Sequence, residues 1–246
     1  MRCWIGGCVV ALLVLIILEV LTISYQYESI TASTRPLRNT RQIEYRRRLP
    51  SALLIGVRKG GTRALLDALA LHPLIRIARR EIHYFDYNET YAKGERWYID
   101  QMPHTSEEQI AVEKTPGYFT SEVAPRRVHK LNPHMKIILI VRNPVVRAIS
   151  DFTQVFYNRL EANKTLPVFD KLAFANGSID MSYKPVRNSL YDVHLQRWLR
   201  FFPLSQFVIV DGDLFAKDPL PQYATHNVMW KPEDVDDQLG GFQNGA

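Results

Sequence analysis

The sequence predicts a P-loop-like α/β fold, a parallel sheet covered by helices on both faces. Three observations carry that expectation. Four apolar runs, "ALLIGV" (52–57), "QIAVEK" (109–114), "KIILIV" (136–141) and "QFVIVD" (206–211), are nearly continuous and so suit strands buried on both faces. Helix-like stretches separate them. A glycine-containing or charged loop directly follows each run: "RKGGTR", "KTPGY", "RNP" and "DGD". In open α/β sheets ligands bind beyond the carboxyl ends of the strands, so function is to be sought in these four loops.

From the amino terminus, residues 3–23, "CWIGGCVVALLVLIILEVLTI", form an apolar stretch of bilayer-spanning length interrupted only by Glu19. Its thirteen Val, Leu and Ile residues, at about 0.3–0.6 kcal/mol each, outweigh one mid-helix acid costing on the order of 3 kcal/mol. Residues 1–23 are therefore expected to be a short cytoplasmic end and a transmembrane signal anchor. The flanking cations, Arg2 before the span and Arg35 and Arg38 after it, do not settle its orientation. Residues 24–50 are polar, rich in Ser, Thr, Gln and Arg, without helical or strand period, and read as a stem.

Order is expected to begin near Ser51 and to run through a domain at 51–219. Its helices are expected at 62–71, ended by His72 and Pro73; at about 122–131, ended by Asn132 and Pro133; at 145–160; and at 189–202, ended by Pro203. Residues 220–246, with Pro232, several acids and a glycine-rich end, show no apolar period and read as a disordered tail.

A chain of 246 residues with a non-globular start leaves one domain of roughly 200 residues, enough for a core. Net charge is +6 and the pI about 9.3, with Arg and Lys recurring beside aromatic residues, which points to an anionic partner. The alternative is that "RRR" at 46–48 merely solvates the stem. Cys3 and Cys8 lie in the span, so the domain is expected to have no disulfide, which is unusual in a secretory compartment. The sequons at Asn88, Asn163 and Asn176 all follow the span, where ten asparagines would give roughly one by chance. They point to a luminal domain.

In "GVRKGGTR" the glycines at 56, 60 and 61 permit a tight turn, and the amides opening the next helix can face an anion. Lys59 adds a charge and Thr62 a hydroxyl. A nucleoside-triphosphatase loop needs Gly-Lys-Ser/Thr after four intervening residues. Counted from Gly56, this chain has Gly61, Thr62 and Arg63, and its lysine precedes the glycine pair. That argues against magnesium-bound ATP and for a loop gripping a phosphate ester without a metal. Taken alone, the stretch reads equally as a structural turn.

Arg142, at the end of the third run, and Ser150, two helical turns later, are spaced to converge on a further phosphate. Taken singly they are a strand-capping arginine and a serine on a helix face. "REIHYFD" gathers Glu81, His83 and Asp86, and if extended it puts Glu81 and His83 on one face. A carboxylate beside a histidine and cations can take a proton from a sugar hydroxyl. The alternative is an exposed acidic loop. No companion His or Asp spacing supports a metal site there. Lys114, after the second run, is placed to stabilise developing negative charge.

Taken together and in order, "IGVRKGGTRALL", "HYFD", "WYIDQMP", "VEKTP", "SDFTQVFYN", "SLYDVHLQRWLRFFP" and "IVDGD" make about residues 51–220 resemble the Golgi heparan sulfate glucosamine 3-O-sulfotransferases. The resemblance implies the sulfotransferase fold and a single-pass type II Golgi membrane protein with a luminal domain. It implies in-line transfer of a sulfonate from 3′-phosphoadenylyl sulfate to the 3-hydroxyl of glucosamine, with no catalytic metal and with heparan sulfate, rather than nucleic acid, as partner.

On the same resemblance, Lys59, Gly60, Gly61, Thr62 and Arg63 bind the 5′-phosphosulfate, and Arg142 with Ser150 binds the 3′-phosphate. Glu81 is the general base, positioned by His83 and Asp86, while Lys59 and Lys114 stabilise charge on the transferring group. Arg58, Arg63, Gln154 and Asn158, with Glu81 and Lys114, line the polysaccharide cleft, where cations and amides meet sulfates and carboxylates.

The resembled family continues with a cysteine pair that forms a disulfide and a Lys-Gly-Arg loop that closes over the nucleotide. After Pro219 this chain reads "LPQYATHNVMWKPEDVDDQLGGFQNGA" instead, as a spliced or shortened product would, and weakened donor binding or folding is expected. Two competing readings remain. One is a heparan sulfate binding protein that keeps the basic cleft without the chemistry. The other is a P-loop kinase, which the motif order disfavours.

Overall fold

The computed structural model describes residues 44–218. The span expected at 3–23, most of the stem and the tail at 220–246 lie outside them. Among the described residues no helix is long and apolar enough to cross a membrane.

Five parallel strands form the central sheet: β1 (Ala52–Gly56), β2 (Ile75–Ile77), β3 (Ile110–Lys114), β4 (Lys136–Val141) and β5 (Phe207–Asp211), in the order β2-β3-β1-β4-β5. The four expected strands are present within a residue or so of their expected bounds. β2 was not foreseen, because it has three residues on the sheet edge, none fully buried. In register, Leu53 lies between Glu113 and Ile137, and Leu54 between Lys114 and Ile138.

Alternation along the strands feeds two cores. On one face Leu53, Ile55, Ile137, Leu139 and Phe207 pack with Tyr98 of α2 (Gly94–Asp100), Ala124 and Val128 of α3 (Ala124–Leu131), and Trp198. Trp198 belongs to α5 (Tyr191–Leu199) and donates its indole N–H to the Phe119 carbonyl at 3.2 Å. On the other face Leu54, Val112, Ile138 and Ile140 meet Leu65 and Leu66 of α1 (Thr62–Leu69) and Phe215 of α6 (Gly212–Lys217). Helices thus cover both faces.

The chain leaves β1 toward β2 and β3 on one side and returns through β4 and β5 on the other. The strand order reverses at the carboxyl end of β1, which is where such sheets bind ligands. From the end of β4 runs the longest helix among the described residues, α4 (Pro144–Glu161). Asn143 caps it, its Oδ1 accepting the N–H of Val145 at 3.0 Å and of Val146 at 3.2 Å, and Pro144 supplies a preset first turn.

Regular structure reaches further toward the amino terminus than Ser51. Arg46–Arg47, read as stem, pairs antiparallel with His104–Thr105, and Arg48 donates to the Thr105 carbonyl. Backbone pairing to a later segment holds these residues, and their local composition does not reveal that. The sequon asparagines Asn88, Asn163 and Asn176 are all exposed. Asn176 and Gly177 have φ of 54° and 77° and form the turn of a small hairpin, Phe174–Ala175 with Ser178–Ile179.

Candidate active site

The loop after β1 is folded down onto β4. The Val57 N–H donates to the Ile140 carbonyl and the Gly60 N–H to the Val57 carbonyl, both at 2.8 Å. A Cβ on Gly60 would lie 2.7 Å from Val57 Cγ2 and 2.8 Å from the Ile140 oxygen, so only glycine fits there. Gly61, at φ 103°, then starts α1 with no side-chain cap, leaving the first-turn amides available to an anion. Gly212 supports the loop from below, since a Cβ there would lie 2.6 Å from the Gly60 oxygen.

A buried ion pair fixes the flank of this loop. Arg147 of α4 is fully buried and its Nη1 lies 3.0 Å from Asp151 Oδ2. Arg147 also donates to Ser189 Oγ at 2.7 Å, to the Arg58 carbonyl at 3.3 Å and to the Pro185 carbonyl. Asp151 holds Arg58 through Oδ1, 2.9 Å from Nε. Lys59 Nζ donates to Gln154 Oε1 at 3.4 Å, and Gln154 Nε2 to Asn158 Oδ1 at 2.9 Å, which makes a polar row along α4. Arg63 pairs with Asp67 at 2.9 Å on α1.

Arg142 reaches back under the loop. Its Nη1 donates to the Lys59 carbonyl at 3.5 Å and its Nη2 lies 3.4 Å from Asp213 Oδ1, while its Nε is buried with no hydrogen-bond partner. A buried guanidinium N–H without an acceptor suits an anionic ligand. Tyr191 donates to the Arg142 carbonyl at 3.1 Å, and burial pushes that phenol up to about 12. Ser150 lines the same cleft from α4.

Across the cleft, the segment after β2 carries a chain of charged groups. Lys114 Nζ donates to Glu81 Oε1 at 2.5 Å, Glu81 Oε2 lies 3.6 Å from His83 Nε2, and His83 Nδ1 lies 2.8 Å from Asp86 Oδ2. His83 has φ 53°, and its ring stacks on Tyr87 at 4.5 Å and 3°. The twist at His83, not an extended segment, brings both its nitrogens between the two carboxylates. Gly117 closes the back: a Cβ there would lie 2.8 Å from Asp86 Oδ2.

These two groups of residues face one cleft of about 1020 Å3. Every residue expected to be catalytic or to bind donor or polysaccharide lines it except Gly60, which packs against Val57 and Ile140. The cleft also takes in Tyr87, Thr120, Ser121, Lys184 and Asn188, which sequence reasoning did not single out. Tyr87 adjoins Asp86 and was within reach of the motif. Lys184 and Asn188 come from a turn distant in sequence and carry no local signal. Among the described residues no group of three or more His, Cys, Asp or Glu is gathered as metal ligands would be.

Comparison with known proteins gives this geometry a lineage. The chain is 51% identical over 176 residues to heparan sulfate glucosamine 3-O-sulfotransferase 5 of Mus musculus, covering 71% of this chain and 51% of that protein. It is 49% identical over 176 residues to heparan sulfate glucosamine 3-O-sulfotransferase 6 of Homo sapiens, covering 71% and 50%. The chain spans about half the length of the curated relatives it matches. A solved sulfotransferase from Alicyclobacillus acidocaldarius shares the fold, with TM-score 0.60 at 20% identity over 79% of this chain and 91% of that one. The sulfotransferase domain model matches residues 49–224, which contain the β1 loop, the Glu81 segment and Arg142 alike, and on that match the chain belongs to the sulfotransferase family.

Proposed function

We propose that this chain transfers a sulfonate from 3′-phosphoadenylyl sulfate to the 3-hydroxyl of glucosamine in heparan sulfate. One observation carries the reading: a carboxylate, Glu81, held between Lys114 and His83, opens into the same cleft as an uncapped glycine loop. The relatives named as heparan sulfate glucosamine 3-O-sulfotransferases support the acceptor class.

Residues of the β1 loop, Lys59 to Arg63, would hold the 5′-phosphosulfate, with Arg142 and Ser150 at the 3′-phosphate. The unpartnered Nε of Arg142 and the uncapped start of α1 fit a nucleotide that carries anionic groups at both its 3′ and 5′ ends. When bound, the nucleotide supplies the sulfonyl group and leaves as adenosine 3′,5′-bisphosphate. Glu81 takes the proton of the acceptor hydroxyl as the new oxygen–sulfur bond forms, and His83, fixed by Asp86, orients it. Lys59 and Lys114 place fixed positive charge where negative charge gathers. Arg58, Gln154 and Asn158 offer donors to sulfate and carboxylate groups of the polysaccharide.

The apolar segment at 3–23 supports a single-pass membrane anchor, and the three exposed sequon asparagines support a luminal domain in the Golgi. The functional test is transfer of radiolabelled sulfate from the donor to heparan sulfate, followed by disaccharide analysis. Label on the glucosamine 3-hydroxyl that is lost in Glu81→Gln is the expected result. A folded chain that binds heparan sulfate and transfers nothing overturns the reading in favour of a binding protein.

A further inference from the structure

Behind the Glu81 segment lies a carboxylate that the proposed reaction does not use. Glu113 precedes Lys114 on β3, and strand alternation turns it to the opposite face, where it is fully buried. The Tyr98 hydroxyl donates to its Oε2 at 3.3 Å, the Thr115 hydroxyl donates to its Oε1, and the Tyr118 hydroxyl is a third partner. Thr115 Oγ1 in turn accepts the N–H of Ile82 at 3.1 Å and of His83 at 3.4 Å, and the Tyr118 oxygen accepts the N–H of Tyr84 at 3.0 Å. Three consecutive amides of the segment that carries Glu81 thus hang on two hydroxyls, of which that of Thr115 donates to Glu113 and that of Tyr118 faces it.

A hydroxyl has one proton to give. An ionised carboxylate only accepts, so it draws the protons of Thr115 and Tyr118 and leaves their lone pairs facing the amides. A protonated carboxyl still accepts at one oxygen, but the other carries a proton that it must donate. One surrounding hydroxyl then has to turn, and the charge that strengthened all three bonds is gone. We infer that Glu113 is a positioning residue: as a carboxylate it sets the direction of the Thr115 and Tyr118 hydroxyls and through them fixes the backbone of Ile82, His83 and Tyr84. The inference rests on the reading of Glu81 as the base.

Burial pushes the Glu113 carboxyl up to about 7, against the hydrogen bonds from Thr115, Tyr118 and Tyr98 that pull it down, so its charge changes near neutrality. The groups that face it are Tyr98 from α2, Thr115 and Tyr118 from the end of β3 and the turn after it, and the backbone of Ile82. Tyr84 stands behind Tyr98, stacked at 4.4 Å, and Asp86 behind Tyr118. Order in the segment, and with it the transfer rate, falls as pH drops through this range.

The test is amide hydrogen exchange at residues 82–84 in the full chain, compared with Glu113→Gln, a neutral residue of the same shape. At about pH 8 the parent is expected to be protected about tenfold more than the variant, and at about pH 6 the two converge. Equal protection at both pH values, or a pH dependence that persists in the variant, overturns the inference. Should Glu113→Gln not fold, Thr115→Val must lose the protection and Thr115→Ser keep it; no difference between these two overturns it equally. Exchange that behaves as expected in a chain that transfers no sulfonate counts against the functional reading alone. Where transfer is measured, Glu113→Gln lowers kcat with donor KM unchanged and removes the neutral limb of the pH profile.

Discussion

Lys114 Nζ and Glu81 Oε1 stand 2.5 Å apart, joining the end of β3 to the segment after β2. The lysine side chain is 8% exposed and the carboxylate 41%, so the buried cation pins a carboxylate that still faces the cleft. Under the proposed function this pairing would give Glu81 one position from which to meet an acceptor hydroxyl. We expect Glu81→Gln to lower kcat by about 10²–10⁴-fold, the usual worth of general base catalysis. Affinity for adenosine 3′,5′-bisphosphate, measured by calorimetry, is expected to stay unchanged. A variant that keeps its transfer rate rules out Glu81 as the base.

Asp151 is the hinge between stability and the phosphate loop. It is 6% exposed and neutralises Arg147, which has no exposure at all, while its second oxygen holds Arg58. Removing one partner of a buried pair leaves an uncompensated charge, at a cost of about 3–5 kcal/mol. Asp151→Asn should therefore lower Tm by roughly 2–4 °C for each kcal/mol lost, and heparan sulfate binding should weaken along with it because Arg58 is released. Thermal unfolding by circular dichroism decides the first part. An unchanged Tm shows that the Ser189 and Pro185 acceptors suffice for Arg147.

Why Arg147 escaped notice, while Arg142 five residues earlier did not, shows what a sequence makes legible. Arg142 ends an apolar run, so its place at a strand's carboxyl end follows from local pattern. Arg147 lies within a helix, where an arginine is ordinarily solvated. Its burial depends on Ser189 and Pro185, which come from a distant turn. The four core strands were legible because burial on both faces leaves continuous apolar runs, and β2 was not because it is a short edge. The Glu81, His83 and Asp86 cluster was visible as a grouping. Its geometry was not, since it depends on the positive φ of His83 and on Lys114.

Gly212 gives a test of the loop that touches no ligand. A Cβ there would lie 2.6 Å from the Gly60 oxygen and 2.8 Å from the Val141 oxygen, and neither backbone atom can yield cheaply. Gly212→Ala is expected to displace the β1 loop and weaken nucleotide binding by about tenfold, or about 1.4 kcal/mol. Fold stability should drop by about 1–3 kcal/mol, as overpacking ordinarily costs. Titration with adenosine 3′,5′-bisphosphate reads the first effect. Undiminished affinity in a folded variant shows that the loop does not need its support.

Glu113 makes a separate prediction for stability, and its sign opposes its effect on the active segment. Burial raises its carboxyl from the ordinary 4.5 to about 7, so the folded protein holds this proton more tightly than the unfolded chain. Its contribution to stability is fully present below pH 4.5 and is lost as pH rises through about 7. The loss is on the order of 3 kcal/mol, at about 1.4 kcal/mol for each pKa unit. His194 runs the other way: burial lowers its pKa, so its contribution is present when the ring is neutral and is lost as pH falls. The difference in unfolding free energy between the parent chain and Glu113→Gln cancels His194 and isolates the carboxyl. That difference is expected to favour the variant increasingly from about pH 5 to pH 8, as followed by urea denaturation. A more stable protein with a slower reaction is the combination expected of a buried charge kept for positioning. A difference that stays flat across this range means that Glu113 titrates alike in the folded and unfolded chains.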